Sequence, residues 1–592
     1  MIKIELQKSA FLEQIIPPKN QATKEQFILA ILAKELSKSE KITSLLAQPL
    51  YEKNIQILPH QVQTALHVLN NFSHRALLAD EVGLGKTIET AIIIKEYLTR
   101  GMAKSVLILT PATLKYQWQE ELRSKFDEHF IVASNPDDIT TYDKIIISID
   151  TAKTERYKAI IETRDWDLLV IDEAHKLKNS QTQNYQLVKS IHKDRCLMLT
   201  ATPLQNNIFE LWALLDLLHP GLMGTKAKFT SEFLADKEGL KINNKEILQE
   251  KLSKVMIRNM RKNTGLNFAK RDVKTHLLDY TKEESDFYQD AISFIKTEYN
   301  QVKKKEQGQE VEDIENVSEE DLKNMAIVYR QKGLLTFALI MLTRQLTSSI
   351  STGIEAIKRY QQTLEDKKKI TLCDALLYQA KKISKDSKKE YLLKLIKKEK
   401  DKIIIFTTFL HTQKMLEMEL KLQGFSTIVF NGSMTPEEKE KAILDFKTSK
   451  QILICTDAGS EGRNLQFAHI LINYDLPWNP MRIEQRIGRV HRIGQEHDVI
   501  IHNLAIKDTI EGYILNRLYE KINLFQVSIG EMDLILSHLK GKQSIEYAIF
   551  ENALEQKDEI EQDLTQAKQE AEQTKQLDFE LFDSMQLNAP KK

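Results

Sequence analysis

A short apolar strand that breaks into glycines and restarts as a helix leaves a chain few ways to fold. Residues 76–89 have that form. The apolar run 76–79 reads as a buried strand. Gly83 and Gly85 then make a loop, and a helix-like run over 87–98 follows. Strand, glycine loop and helix together make a geometry for holding phosphate. Backbone N–H groups and the helix N-terminus point at the anion, and glycine lets the backbone approach closely. In such a loop Lys86 reaches the β- and γ-phosphates and the Thr87 hydroxyl ligates Mg²⁺. One departure matters: the complete pattern has Gly six residues before Lys86, and Asp80 stands there. Gly-Lys-Thr alone recurs by chance, so the rest of the chain has to supply the other parts of a nucleotide machine.

Strand and helix alternate after the loop. Residues 106–110 read as a strand, Pro111 opens a helix through Trp118, and 145–148, 168–171 and 197–200 read as further strands. The alternation restarts at 403–407 and continues through 427–431, 451–455 and 470–474. Continuous β-branched runs between helices mean parallel sheets covered on both faces. The expected class is therefore α/β with two parallel-sheet lobes. The expected division is an N-terminal helical segment over 1–50, a first lobe over 51–225, a charged helical block over 226–400, a second lobe over 401–525 and a charged helical tail over 526–592. Within the block, 303–323 is polar and mixed in charge, as in a solvated insertion. Residues 358–402 carry 15 Lys/Arg against 7 Asp/Glu, which is either a solvated helical face or a phosphate-contacting one. The run 554–573 reads as an acidic, Gln-rich helix of coiled-coil character.

Composition removes other classes. Lys+Arg and Asp+Glu are both 84 in 592 residues, so any basic surface is a local patch. Cys196, Cys373 and Cys455 are far apart and form no disulfide or zinc pattern. No apolar run approaches the roughly 18 residues a membrane helix needs, and the first residues carry no signal-peptide run. The expectation is a cytoplasmic protein with no membrane partner.

Three further constellations carry chemistry. In Val170-Ile-Asp-Glu-Ala-His175 the acids fall at the C-terminal end of a parallel strand, where ligands bind in α/β sheets. Asp172 is placed to hold Mg²⁺, and Glu173 to orient and deprotonate an attacking water. Thr200 and Thr202, at another strand end, are small hydroxyl donors able to link the site to other loops. In Glu484-Gln-Arg-Ile-Gly-Arg-Val-His-Arg492, Arg489 and Arg492 share one helical face. Phosphoryl transfer needs cations as charge develops at the γ-phosphate, and these come from the second lobe, so catalysis requires closure.

Together these motifs, with Gln61, Thr456-Asp-Ala-Gly-Ser-Glu-Gly-Arg-Asn-Leu465, Asp475-Leu-Pro-Trp-Asn-Pro480 and Arg492-Ile-Gly-Gln495, resemble superfamily-two helicase-like ATPases of the Swi/Snf type. The runs 79–89 and 461–464 look most like the bacterial branch that includes RapA, the ATPase associated with RNA polymerase. The resemblance implies two RecA-like lobes with ATP between them, helical protrusions in the block over 226–400, and movement along duplex DNA without strand separation. It places Gln61 at adenine, makes Asp80 normal in its loop, and sets Gln485 beside the nucleotide. It implies DNA phosphate contacts at Thr110, Thr113, Thr407, Gly459, Arg463 and Asn464, which position without reading sequence. It links motifs through His175 and His491. Trp118 and Trp212 read as core. The location implied is the bacterial nucleoid. The accessory regions of RapA have no evident counterpart here, which leaves direct polymerase binding open. The alternatives are a strand-separating helicase, or a nucleotide-gated subunit of a restriction or phage-defence assembly.

Overall fold

The apolar runs pair as two separate all-parallel sheets. The computed structural model describes residues 23–36, 41–81, 83–201, 203–204, 208–234, 242–260, 264, 269–305, 334–457, 465–492, 494–519, 545–555 and 559–582. The chain divides into a unit over Met1–Leu45 and a unit over Leu46–Lys592. In the first, the helix Lys24–Leu36 opens on a reciprocal cap between Thr23 and Gln26. Of the helical segment expected over 1–50, the described part of this unit holds this helix.

Both sheets belong to the second unit. Lobe 1 is built from β1 (Arg75–Leu78), β2 (Val106–Thr110), β3 (Ile131–Val132), β4 (Lys144–Ser148), β5 (Trp166–Ile171), β6 (Lys193–Leu199) and β7 (Met256–Ile257). They lie in the order β3-β4-β2-β5-β6-β1-β7. Lobe 2 is built from β8 (Arg271–Leu278), β9 (Ile403–Thr407), β10 (Thr427–Phe430), β11 (Ile452–Thr456), β12 (Ile470–Asn473) and β13 (Val499–Ile506), in the order β10-β11-β9-β12-β13-β8. β2, β9 and β11 are buried along their whole length, as strands between two helical layers must be. These are the two RecA-like lobes.

Two expectations change. The block over 226–400 is not wholly helical: β7 extends the first sheet beside β1, and β8 forms the edge of the second beside β13. The second sheet therefore begins at Arg271, and the helices from Lys282 to Ile396 are inserted after its first strand. Edge position explains why β8 was missed. Half-exposed and exposed positions alternate over its first half, and it has no long apolar run. The inserted helices share one apolar cluster with lobe 2, through Phe294, Leu342 and Ile357 against Phe406 and Phe409. Residues 306–333, most of the expected insertion, lie outside the described residues.

The expected acidic, Gln-rich helix of the tail packs on the body of the chain. It spans Glu559–Phe582. Ala567 and Ala571 pack into the lobe 2 cluster, and Leu577, Leu581 and Phe582 into the lobe 1 cluster. One helix thus fastens to both cores. No helix among the described residues is long and apolar enough to cross a membrane.

Candidate functional site

β1 delivers the chain into the glycine loop, and the helix Pro59–Asn70 braces it from behind. Gly83 and Gly85 both have left-handed backbones, with φ of 89° and 93°. A Cβ on Gly85 would lie 2.5 Å from Gln61 Nε2. Gln61 is buried, its Nε2 donating to the Leu84 carbonyl at 3.2 Å and its Oε1 accepting from Leu58 N at 3.0 Å. Its amide is thus committed to backbone on both sides and supports the loop. The loop helix, Lys86–Thr99, starts immediately after Gly85, and Thr87 lies in its first turn.

Lys86 Nζ donates to the Asp80 carbonyl at 2.6 Å and reaches the Glu81 carbonyl at 3.5 Å. Burial lowers its pKa, while the charges of Asp80, Glu173, Glu89 and Asp172 favour its ionised form. The Asp80 side chain faces elsewhere. Its two oxygens accept from Asn259 N at 2.8 Å and Asn259 Nδ2 at 2.9 Å. Asp80 therefore serves the loop through its carbonyl, and its carboxylate pins the chain after β7. The ligand atoms of His60, Asp80 and Glu89 lie within 4.8 Å of one another. They do not suit a metal: Asp80 is taken by Asn259, and His60 Nε2 is 3.0 Å from the Leu84 carbonyl, which obliges it to donate.

The second constellation stands at the end of β5. Asp172 Oδ2 accepts from Trp118 Nε1 at 2.8 Å and faces Thr110 Oγ1 at 3.4 Å, and Oδ1 accepts from Glu173 N at 2.9 Å. Burial, then the charge of Glu173, pushes the Asp172 carboxyl up to about 6 against those hydrogen bonds and Lys86. Glu173 is a non-glycine residue at φ 52°, a conformation that costs on the order of 1–3 kcal/mol and gathers at functional sites. Its Oε2 is 3.1 Å from His175 Nδ1. Burial raises the Glu173 carboxyl, but the hydrogen bond and charge of His175, with Lys86 and Lys176, hold it below the ordinary value. Thr200 follows β6, buried, with its N–H on the Leu78 carbonyl at 3.0 Å. Thr202 lies outside the described residues.

In lobe 2 the arginine helix, Pro480–Ile487, opens on an Asn479 cap. Arg486, which sequence reasoning passed over, is its most enclosed cation. Nε and Nη2 hold Asp457 at 2.6 and 3.0 Å, and Nη1 reaches Asn473 Oδ1 and the Asp475 carbonyl at 3.0 Å each. Arg489 is buried, its carbonyl accepting from Leu465 N at 3.0 Å. Arg492 Nε donates to the Gly488 carbonyl at 2.6 Å. Burial disfavours the Arg492 charge, and the charge of Glu121 on the lobe 1 helix Lys115–Phe126 offsets only part of that. Gln485 is exposed.

The structure redirects two expected DNA contacts. Thr110 is 1% exposed and faces Asp172. Thr407 is 0% exposed and donates to Asp475 Oδ2 at 2.6 Å. Asp475 also accepts from Ser348 Oγ at 2.7 Å, Thr408 N at 2.8 Å and Thr408 Oγ1 at 3.0 Å. These hydroxyls are spent on carboxylates at neighbouring strand ends, a relation that chain spacing does not reveal. Thr113 lies in the short turn Ala112–Leu114. Gly459, Arg463 and Asn464 lie outside the described residues.

Known proteins match along most of the chain. The family model described as the SNF2-related domain matches residues 59–331, and the one described as the helicase conserved C-terminal domain matches 387–494. The uncharacterized ATP-dependent helicase YqhH of Bacillus subtilis (strain 168) is 39% identical over 543 residues, covering 90% of this chain and 91% of its own. The solved structure titled Sulfolobus solfataricus SWI2/SNF2 ATPase core in complex with dsDNA is 23% identical, covers 82% of this chain and 96% of its own, and has a TM-score of 0.36.

Proposed function

The chain belongs to the SNF2-related family, with a helicase C-terminal domain in its second lobe, and from that premise we propose that it is an ATPase that moves along double-stranded DNA and displaces or remodels proteins there without separating the strands. The observation that carries the reading is the setting of Lys86. A lysine at the start of a helix, behind two left-handed glycines, has Asp172 and Glu173 among the charges that act on it.

These residues fit a magnesium-bound triphosphate. Lys86 has only carbonyl oxygens as hydrogen-bond acceptors, the Gly85 position has no room for a Cβ beside Gln61, and the charge of Glu173 raises the cost of ionising the adjoining Asp172 carboxyl. In this reading the amides around Gly83 and Gly85 face phosphate, and Lys86 leaves the Asp80 carbonyl for the β- and γ-phosphates. Thr87 and Asp172 would hold Mg²⁺, which when bound offsets charge on the phosphate oxygens. Glu173, kept ionised by His175, orients the attacking water and accepts its proton. Arg489 and Arg492 approach from lobe 2, with Gln485 beside them, so turnover waits on closure of the lobes. Gln61 and Asp80 support the loop. His175 and Thr200, with Thr202, couple the site to neighbouring strand ends.

Alternating grip on duplex phosphates converts closure into movement, since each lobe's affinity must differ between two states. With the Thr110 and Thr407 hydroxyls occupied, the backbone after β2 and β9, Thr113, Gly459, Arg463 and Asn464 are assigned to that grip. The RapA-like placement and a nucleoid location belong to the same proposal. The test is the ATPase rate of the purified chain with no polymer, duplex DNA, single-stranded DNA and RNA. Duplex DNA should stimulate most. Equal stimulation by single strands, together with strand displacement, would make it an unwinding helicase instead.

A further inference from the structure

We propose that Arg271 is a positioning residue for Arg489 and Arg492, and that the connection between the lobes is fastened at each end to one of the two nucleotide-handling motifs. The inference rests on the ATPase reading above.

The lobe 1 end is Asn259, two residues after β7. Its N–H and Nδ2 hold both oxygens of Asp80, at 2.8 and 2.9 Å, and Nδ2 also reaches Thr64 Oγ1 at 3.1 Å. Its carbonyl accepts from Glu81 N at 3.1 Å. The carbonyl of that same Asp80 carries Lys86 Nζ. This end of the connection is therefore built into the root of the glycine loop.

The lobe 2 end is Ala269 to Arg271. Arg271 Nη1 lies 3.1 Å from both Oε1 and Oε2 of Glu484, and its Nε lies 3.3 Å from His491 Nδ1. His491 Nε2 lies 2.7 Å from the Ala269 carbonyl. A guanidinium only donates, so Nδ1 accepts and Nε2–H donates to Ala269. His491 is thus neutral and oriented from both sides by the connection. Glu484 is fully buried within the arginine helix, and His491 stands between Arg489 and Arg492 in the chain.

One side chain therefore grips both the helix and the turn that follows it. A planar fork can do this; a lysine, with a single point charge, can hold only one of the two. Arg486 does not duplicate the task, because its fork is directed to Asp457, Asn473 and the Asp475 carbonyl. Asn259 is thus tied to the seat of Lys86, and Ala269 and Arg271 to the seat of the arginines. The competing explanation is an ordinary buried ion pair that stabilises lobe 2 and has no bearing on turnover.

The experiment compares Arg271→Gln, Arg271→Lys, Arg489→Ala and the double variant Arg271→Gln/Arg489→Ala, reading kcat and KM for ATP on duplex DNA with thermal unfolding alongside. A positioning role lowers kcat of Arg271→Gln by about tenfold or more with KM for ATP within about twofold. Arg271→Lys should fall in between. Adding Arg271→Gln to Arg489→Ala should cost less than it does in the unaltered chain, because only the part that acts through Arg492 is left to lose. Wild-type kcat in Arg271→Gln, or losses that multiply in the double variant, would overturn the inference while leaving the ATPase reading intact. Wild-type turnover in Arg489→Ala would sink that reading and the inference with it. Should Arg271→Gln not fold, Arg271→Lys serves in the same cycle, since it keeps a charge at Glu484 and forfeits His491.

Discussion

Thr407→Val separates what the chain spacing suggests from what the structure shows. Valine matches threonine in volume and suits the end of β9, so the change removes one hydroxyl. That hydroxyl donates to Asp475 Oδ2 at 2.6 Å. A hydrogen bond to a charged group contributes about 1.5–3 kcal/mol. The same oxygen keeps Ser348 Oγ at 2.7 Å and Thr408 N at 3.1 Å, which puts the loss at the lower end, about 1.5–2 kcal/mol. One kcal/mol moves a midpoint by about 2–4 °C in a domain of 150–250 residues, so lobe 2 should unfold about 3–8 °C earlier. Because the hydroxyl is fully buried, duplex DNA affinity and its salt dependence should not change. The assays are differential scanning calorimetry and a salt titration of DNA binding. An unaltered midpoint with weaker DNA binding would put Thr407 on the DNA and refute the assignment.

Lys86→Ala and Glu173→Gln should each lower ATP turnover by orders of magnitude, with the Gln variant still binding ATP; full activity in either would contradict the site. Lys388 Nζ lies 2.7 and 2.9 Å from the Glu511 carboxylate, with the two residues 3% and 1% exposed. Lys388→Met should therefore destabilise lobe 2 by about 3–5 kcal/mol, read as an early unfolding transition that Lys388→Met/Glu511→Leu largely restores. His502 is pushed down to about 4 by burial and by the charges of His276 and Lys274, and burial lowers His276 as well. The unfolded chain therefore takes up protons first. Stability from this β8–β13 pair is complete above about pH 6.5 and is lost as pH falls toward 4. The unfolding midpoint should drop over that window, and less steeply in His502→Gln; a flat wild-type profile would remove the argument.

What was legible in the sequence was local. Lys86 and Thr87 share one turn, Asp172 and Glu173 are adjacent, and β2, β5, β9 and β11 announce themselves as apolar runs because helices cover both their faces. What was illegible depends on neighbours distant in the chain. Trp118 looked like plain core, and it is buried, yet its indole N–H is a hydrogen-bond partner of Asp172. Asp475 looked like part of a family signature, and it gathers donors from Ser348, Thr407 and Thr408. β8 has the mixed polarity of an edge strand, and missing it moved the start of lobe 2 to the wrong side of the inserted helices. The C-terminal helix read as a tail because its apolar contacts are spread along its length between two different cores.

The central claim is that one triphosphate is served from both lobes. The most direct measurement is steady-state ATP turnover of Arg489→Ala/Arg492→Ala on duplex DNA, paired with its affinity for a non-hydrolysable ATP analogue. Turnover should fall by about 10³-fold or more, in line with other arginines that act on a transferring phosphoryl group, and analogue affinity should stay within about tenfold of wild type. Turnover equal to the unaltered chain would mean that lobe 1 hydrolyses ATP without lobe 2, and the account would fail.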